Sequence, residues 1–121
     1  MDFTGIFPNG FITAEGDICK DFTLQERTFR NTLELANDPA INKDLLGDYV
    51  YYDACIISKR LKVTGIEYLS PEMVLDLDGA DGDTLANAIM DLDKRRSDFR
   101  SAQQAAQKAP DSPPEAGSPL D

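Results

Sequence analysis

DLLGDYVYYDACIISKRLK, Asp44 to Lys62, is the one long stretch of the chain dense in large apolar side chains. Wound as a helix, it aligns Leu45, Tyr49, Tyr52, Ile56 and Lys59 on one stripe and Leu46, Val50, Ile57 and Leu61 on the next. So wide a face predicts a core helix over 44–63, packed on two sides. Nothing in the stretch looks catalytic.

Upstream, Met1 to Gly10 reads as an irregular lead-in ending in the turn pair Asn9-Gly10. Residues 11–24 then have the form of a β-hairpin, two short strands around Glu15-Gly16-Asp17. A lone hairpin is marginal in water, so its apolar face must lie on helices or be completed by another chain's strand. Residues 26–37 predict a helix with Phe29, Leu33 and Ala36 on one face, closed by Asn37-Asp38-Pro39.

Downstream, Gly65 ends the central helix, whose last turns hold Lys59, Arg60 and Lys62, cations suited to the negative end of a helix dipole. Ser70-Pro71 is a start signal for a short helix over 71–76. A final helix over 83–103 follows, with Leu85, Ile89, Leu92 and Phe99 in steps of four and three, Arg96 interrupting them, and Asp81 or Asp83 as cap. Residues 104–121 turn to Ala, Gln, Pro, Ser and acid and read as a disordered tail. The expected class is α+β: one mostly helical domain over 1–103 with an N-terminal β-hairpin.

Composition narrows the function classes. The chain has 121 residues, a net charge of −10 and a pI near 4.3, which opposes general phosphate-backbone binding and attraction to anionic membranes. It has no histidine, which removes the usual general base at neutral pH and the commonest transition-metal ligand. Cys19 and Cys55 read as two half-buried free thiols, with a Cys19–Cys55 disulfide as the alternative. No secretory signal and no apolar run of spanning length is seen, so a cytoplasmic protein is expected.

The most site-like segment is DLDGADGD, Asp76 to Asp83. Read as a calcium loop from Asp76, it has Ala80 at position five, Asp81 in place of the glycine at six and Asn87 in place of the glutamate at twelve, so the motif fails. Weak divalent-cation binding is the residue of that idea, against a turn with helix caps. Between Glu67 and Asp93 stand Glu67, Glu72, Asp76, Asp78, Asp81, Asp83, Asp91 and Asp93 without a Lys or Arg, and Lys94, Arg95, Arg96 and Arg100 follow. Such a block is a solvated helix surface, a docking face for a basic segment, or a mimic of nucleic acid that occupies a DNA-binding protein.

Catalysis has little to work with. Ser58, Ser97, Asp53 and Lys59 could be combined on paper, but without histidine a serine needs a lysine base and a formed oxyanion hole. No nucleophile elbow, phosphate loop or dinucleotide fingerprint is present. Tyr49, Tyr51, Tyr52 and Tyr68 suit core-edge packing or a protein interface. No cofactor or metal is expected, and a non-enzymatic interaction protein is.

Thr64-Gly65 at a helix end, the Ser70-Pro71-Glu72 start, the acidic turn Asp78-Gly79-Ala80-Asp81 and a final helix, preceded by the hairpin and helix of Phe11 to Asn37, together resemble the tail assembly chaperones of Mu-like tailed bacteriophages. The likeness covers roughly Phe11 to Arg100. It implies a protein that is not an enzyme and is absent from the finished particle. Such a protein binds the tape measure protein, keeps it soluble and helps recruit tail tube subunits. Expected partner contacts are Tyr52, Ile56, Leu92 and Phe99, with Glu67, Glu72, Asp76, Asp78, Asp81 and Asp83 as a solubilising acidic face. The rival reading is an acidic nucleic-acid mimic that inhibits a host DNA-binding protein; the oligomeric state stays open.

Overall fold

The computed structural model describes residues 2–108. Strands β1 (Asp2–Ile12), β2 (Ile18–Gln25) and β3 (Leu61–Val63) form an antiparallel sheet in the order β1-β2-β3. Helices α1 (Phe29–Asn37), α2 (Tyr49–Arg60), α3 (Pro71–Leu75) and α4 (Gly79–Lys108) complete a single, mostly helical α+β domain.

The hairpin is longer than its sequence suggests. Met1 to Gly10 reads as a lead-in because Pro8, Asn9 and Gly10 break the apolar alternation, yet β1 starts at Asp2 and runs through them. It does so with an excursion: Ile6 pairs with Asp21 and Phe11 with Cys19, so four residues of β1 face only Lys20. Gly10 makes the detour feasible, with φ of 84° and a position where a Cβ would meet the Cys19 carbonyl oxygen at 2.6 Å. The excursion buries Phe7, which stacks on Phe22 with centroids 4.4 Å apart and meets Phe11 edge-on at 5.7 Å.

The central helix is shorter than the predicted 44–63. Lys43–Leu45 is a 3-10 turn, and Asp48 caps α2 by accepting from the Tyr51 amide at 3.1 Å. At the other end the chain passes from Arg60 into β3, where Leu61 pairs with Leu24 and Val63 with Phe22. Gly65, at φ 96° with the Cys19 Sγ 2.8 Å from where a Cβ would stand, then turns the chain away. Periodicity hid this strand because Leu61 and Val63 also continue the helical stripe.

Packing of α2 on two sides holds. Ala54 and Ile57 join the main core, built from Phe7, Phe11, Phe22, Leu24, Leu61, Val63, Leu69, Val74, Leu85, Ala88 and Leu92. Tyr51, Cys55 and Ile56 join a second core with Leu35 and Ile41 of the α1 side. The buried phase differs from the predicted stripes, since Tyr49 and Val50 in the first turn are exposed. In α1 the inward face is Asn31 and Leu35, so the predicted face of Phe29, Leu33 and Ala36 points to solvent. Helix α3 matches its start signal, with Ser70 accepting from the Met73 amide at 3.2 Å.

Helix α4 begins four residues before the predicted start, at Gly79, and continues through Gln104–Lys108, which the sequence assigned to the tail. The remainder of that tail lies outside the described residues.

Candidate interaction site

Three arrangements of polar side chains organise the surface. The first accounts for DLDGADGD. The Asp81 carboxylate, 1% exposed, accepts from the Asn9 amide on Oδ1 and the Gly10 amide on Oδ2, both at 2.9 Å. It therefore satisfies two amides of the β1 excursion that β2 does not reach. Asp78 accepts from the Asp81 amide at 2.9 Å and from Asn9 Nδ2 at 2.6 Å, which makes Asp78, not Asp81 or Asp83, the cap of α4. The loop is a clasp between β1 and α4, with its central carboxylate committed to backbone. Among the described residues no group of three or more acidic or cysteine side chains is placed to hold a metal ion.

The second is a clamp that the sequence did not signal. Asp38, just after α1, accepts from Lys59 Nζ at 2.6 Å, from the Tyr68 hydroxyl at 2.8 Å and from the Ala40 amide at 2.8 Å. The Lys59 bond above all holds the Asp38 carboxyl down at about 2, against its burial. Burial, then the bond to Asp38, pushes the Tyr68 hydroxyl up to about 12. Lys59 Nζ also lies 5.2 Å from the Tyr68 ring centroid. The clamp floors an open groove of about 520 Å³ bordered by Leu33, Pro39, Arg30 and Glu34.

The third is a group of arginines. Arg60, read from sequence as a dipole-facing surface charge, is only 4% exposed; its Nε donates to the Gln25 carbonyl at 2.9 Å, and its Nη2 makes no hydrogen bond and meets Asp93 at 3.5 Å. Burial, with Arg27 and Arg96 nearby, lowers its pKa. Arg96 donates to the Arg27 carbonyl at 2.7 Å, and Arg27 Nη2 to the Tyr52 hydroxyl at 3.2 Å.

The expected partner contacts divide. Ile56 is 4% exposed and Leu92 fully buried, so both are core and neither reaches a partner; helical spacing could not separate an inward stripe from an interface stripe. Tyr52 is half-buried at the core edge, and Phe99 is 54% exposed. Of the acidic face, Glu67, Glu72, Asp76, Asp78 and Asp83 are exposed, while Asp81 is removed from it. Exposed apolar side chains that the sequence reading missed are Phe29 at 71%, Leu33 at 48%, Tyr49 at 77% and Val50 at 64%.

Cys19 and Cys55 are free thiols, and burial raises the Cys55 pKa. Among the described residues no helix is long and apolar enough to cross a membrane. No family model matches the chain, and no curated protein or solved structure matches it.

Proposed function

We propose that this protein is a non-enzymatic assembly chaperone of the phage-tail type, acting in the host cytoplasm on the tape measure protein and helping to recruit tail tube subunits. The observation that carries the reading is the exposure of apolar side chains on α1, beside a groove, and at the start of α2. Phe29 and Leu33 are four residues apart on one helix, Tyr49 and Val50 open the next, and all four are exposed. Leu33 borders the groove over the clamp, where Pro39 and Tyr68 add apolar surface and Arg30 and Glu34 offer one charge of each sign. Such a face suits an amphipathic client helix, whose apolar stripe lies in the groove while flanking charges pair at its edges. A net charge of −10 keeps the complex soluble once apolar surface is covered. The resemblance to Mu-like tail assembly chaperones supplies the client's identity.

The test is co-expression with a phage tape measure protein as client. The wild-type chain should keep the client in the soluble fraction and elute with it. The double variant Phe29→Ser, Leu33→Ser should lose both effects with an unchanged melting temperature, because neither side chain belongs to the core. Equal client solubility with the variant, or none with the wild type, would sink the reading.

A further inference from the structure

The last turns of α4 leave the body of the protein. Asp93, Arg95 and Arg96 still touch the body, at Arg60, Phe3 and the Arg27 carbonyl, and from Ser97 to Gln107 every side chain is exposed, an arm on the order of 16 Å long at the α-helical rise. The charge changes sign at the root of the arm. Residues 93–108 carry five basic side chains against two acidic ones, whereas residues 2–92 carry seventeen acidic against seven basic. Phe99 lies exposed among the arm's charges, and Arg100 has no acidic partner among the described residues. A groove of about 530 Å³ beside the arm is lined by Arg27, Arg96 and Arg100 against the one acid Asp93, with Ser97, Ser101 and Gln104. Arg60, buried with its Nη2 lacking a hydrogen bond, adds to the local positive excess. These last turns, open on nearly all sides, lack the tertiary packing that supplies most helical stability and would be stabilised by cover.

We propose that the arm is a docking element for a second copy of this chain, seated on that copy's acidic body. Charge selects the occupant: the body carries the excess of acid that the arm lacks. A receiving surface lies at the end of α3, where Leu75 is 47% exposed between Glu72 and Asp76, an apolar position among acids that can take Phe99 with Arg100 beside it, while Asp98, the other neighbour of Phe99, is paired with Lys94. The contact is heterologous, arm to body, so each copy keeps a free arm and a free body and assembly proceeds in a chain or ring. Repulsion between copies of like net charge is screened beyond about 8 Å at physiological ionic strength, whereas the pairs in contact are not. The arm and the end of α3 are surfaces distinct from the exposed apolar side chains of α1 and the start of α2.

Sedimentation velocity on the full chain tests it, at about 0.15 M salt and again at about 1 M, where screening reaches to roughly 3 Å. The wild type should self-associate with rising concentration and weaken at the higher salt. An arm variant, Lys94→Glu with Arg100→Glu, and a body variant, Glu72→Lys with Asp76→Lys, should each associate at least about tenfold more weakly, a change of about 1.4 kcal/mol. Circular dichroism and melting temperature should show both folded, and the milder Phe99→Ala should weaken association in the same direction. Mixed together, the two reversed variants should restore association at one-to-one stoichiometry, since the basic arm of the body variant meets the acidic body of the arm variant and the acidic arm of the latter meets the basic body of the former. A wild type that stays monomeric would overturn the proposal and leave the arm to a different partner. Self-association indifferent to both reversals, or a mixture that stays monomeric, would overturn it as well.

Discussion

Asp81 is one of eight acidic side chains between Glu67 and Asp93, and it is the one that water does not reach. Its two oxygens hold the amides of Asn9 and Gly10, so removing it strands two backbone donors next to the core. Asp81→Ala should cost about 2–4 kcal/mol of unfolding free energy by urea titration, because charge-assisted bonds are lost and their partners left unpaired. Asp83→Ala, two positions on and exposed, should stay within about 0.5 kcal/mol of the wild type. Equal effects would mean that the clasp contributes nothing. The sequence marked this loop as the most site-like and excluded a calcium loop by position, but the partner amides lie some seventy residues upstream and no local pattern connects them.

At the scale of elements, α4 shows how far a periodic pattern can be followed. Leu85 and Leu92 are core and Ile89 packs against it, as their steps predict, and the same steps carry on to Phe99, which is exposed. The change comes where the helix outruns the sheet: Arg96 bonds to the Arg27 carbonyl just past the end of β2, and among the described residues no layer lies beyond to cover the next turn. Leu92→Ala should therefore cost about 2–5 kcal/mol, as a large core side chain does. Phe99→Ala should leave the melting temperature of dilute protein unchanged. A large loss from Phe99→Ala would show that the arm folds back on the body. In α2 the sequence identified the core helix and its two-sided packing, while Leu61 and Val63 served helix and strand periods equally. Pairing with Leu24 and Phe22 decided for the strand.

Across the whole molecule, the Asp38, Lys59 and Tyr68 clamp joins α1, α2 and the segment leading to α3. Because the folded Asp38 carboxyl sits at about 2 against an ordinary 3.8, its contribution is complete above pH 4 and is lost as pH falls from about 4 to 2. That contribution is on the order of 2 kcal/mol. The difference in urea stability between wild type and Asp38→Asn should shrink over this window; a difference that stays flat would show that the pair carries no linked charge. The folded Tyr68 hydroxyl sits at about 12 against an ordinary 10.0, so its contribution is present below pH 10 and lost as pH rises toward 12, a loss that Tyr68→Phe should abolish.

By itself the sequence determined the α+β class, the hairpin, the helix order and the cap at Ser70, because capping, turn chemistry and amphipathic period act within a few residues. Only the tertiary structure decided which apolar stripe faces inward, that Arg60 is buried, that Asp81 serves β1, and that the end of α4 stands free. Each of those depends on which distant segment comes to lie opposite. Burial and partnership are properties of such pairs, and residues as far apart as Asn9 and Asp81 meet only once the sheet and helices have packed.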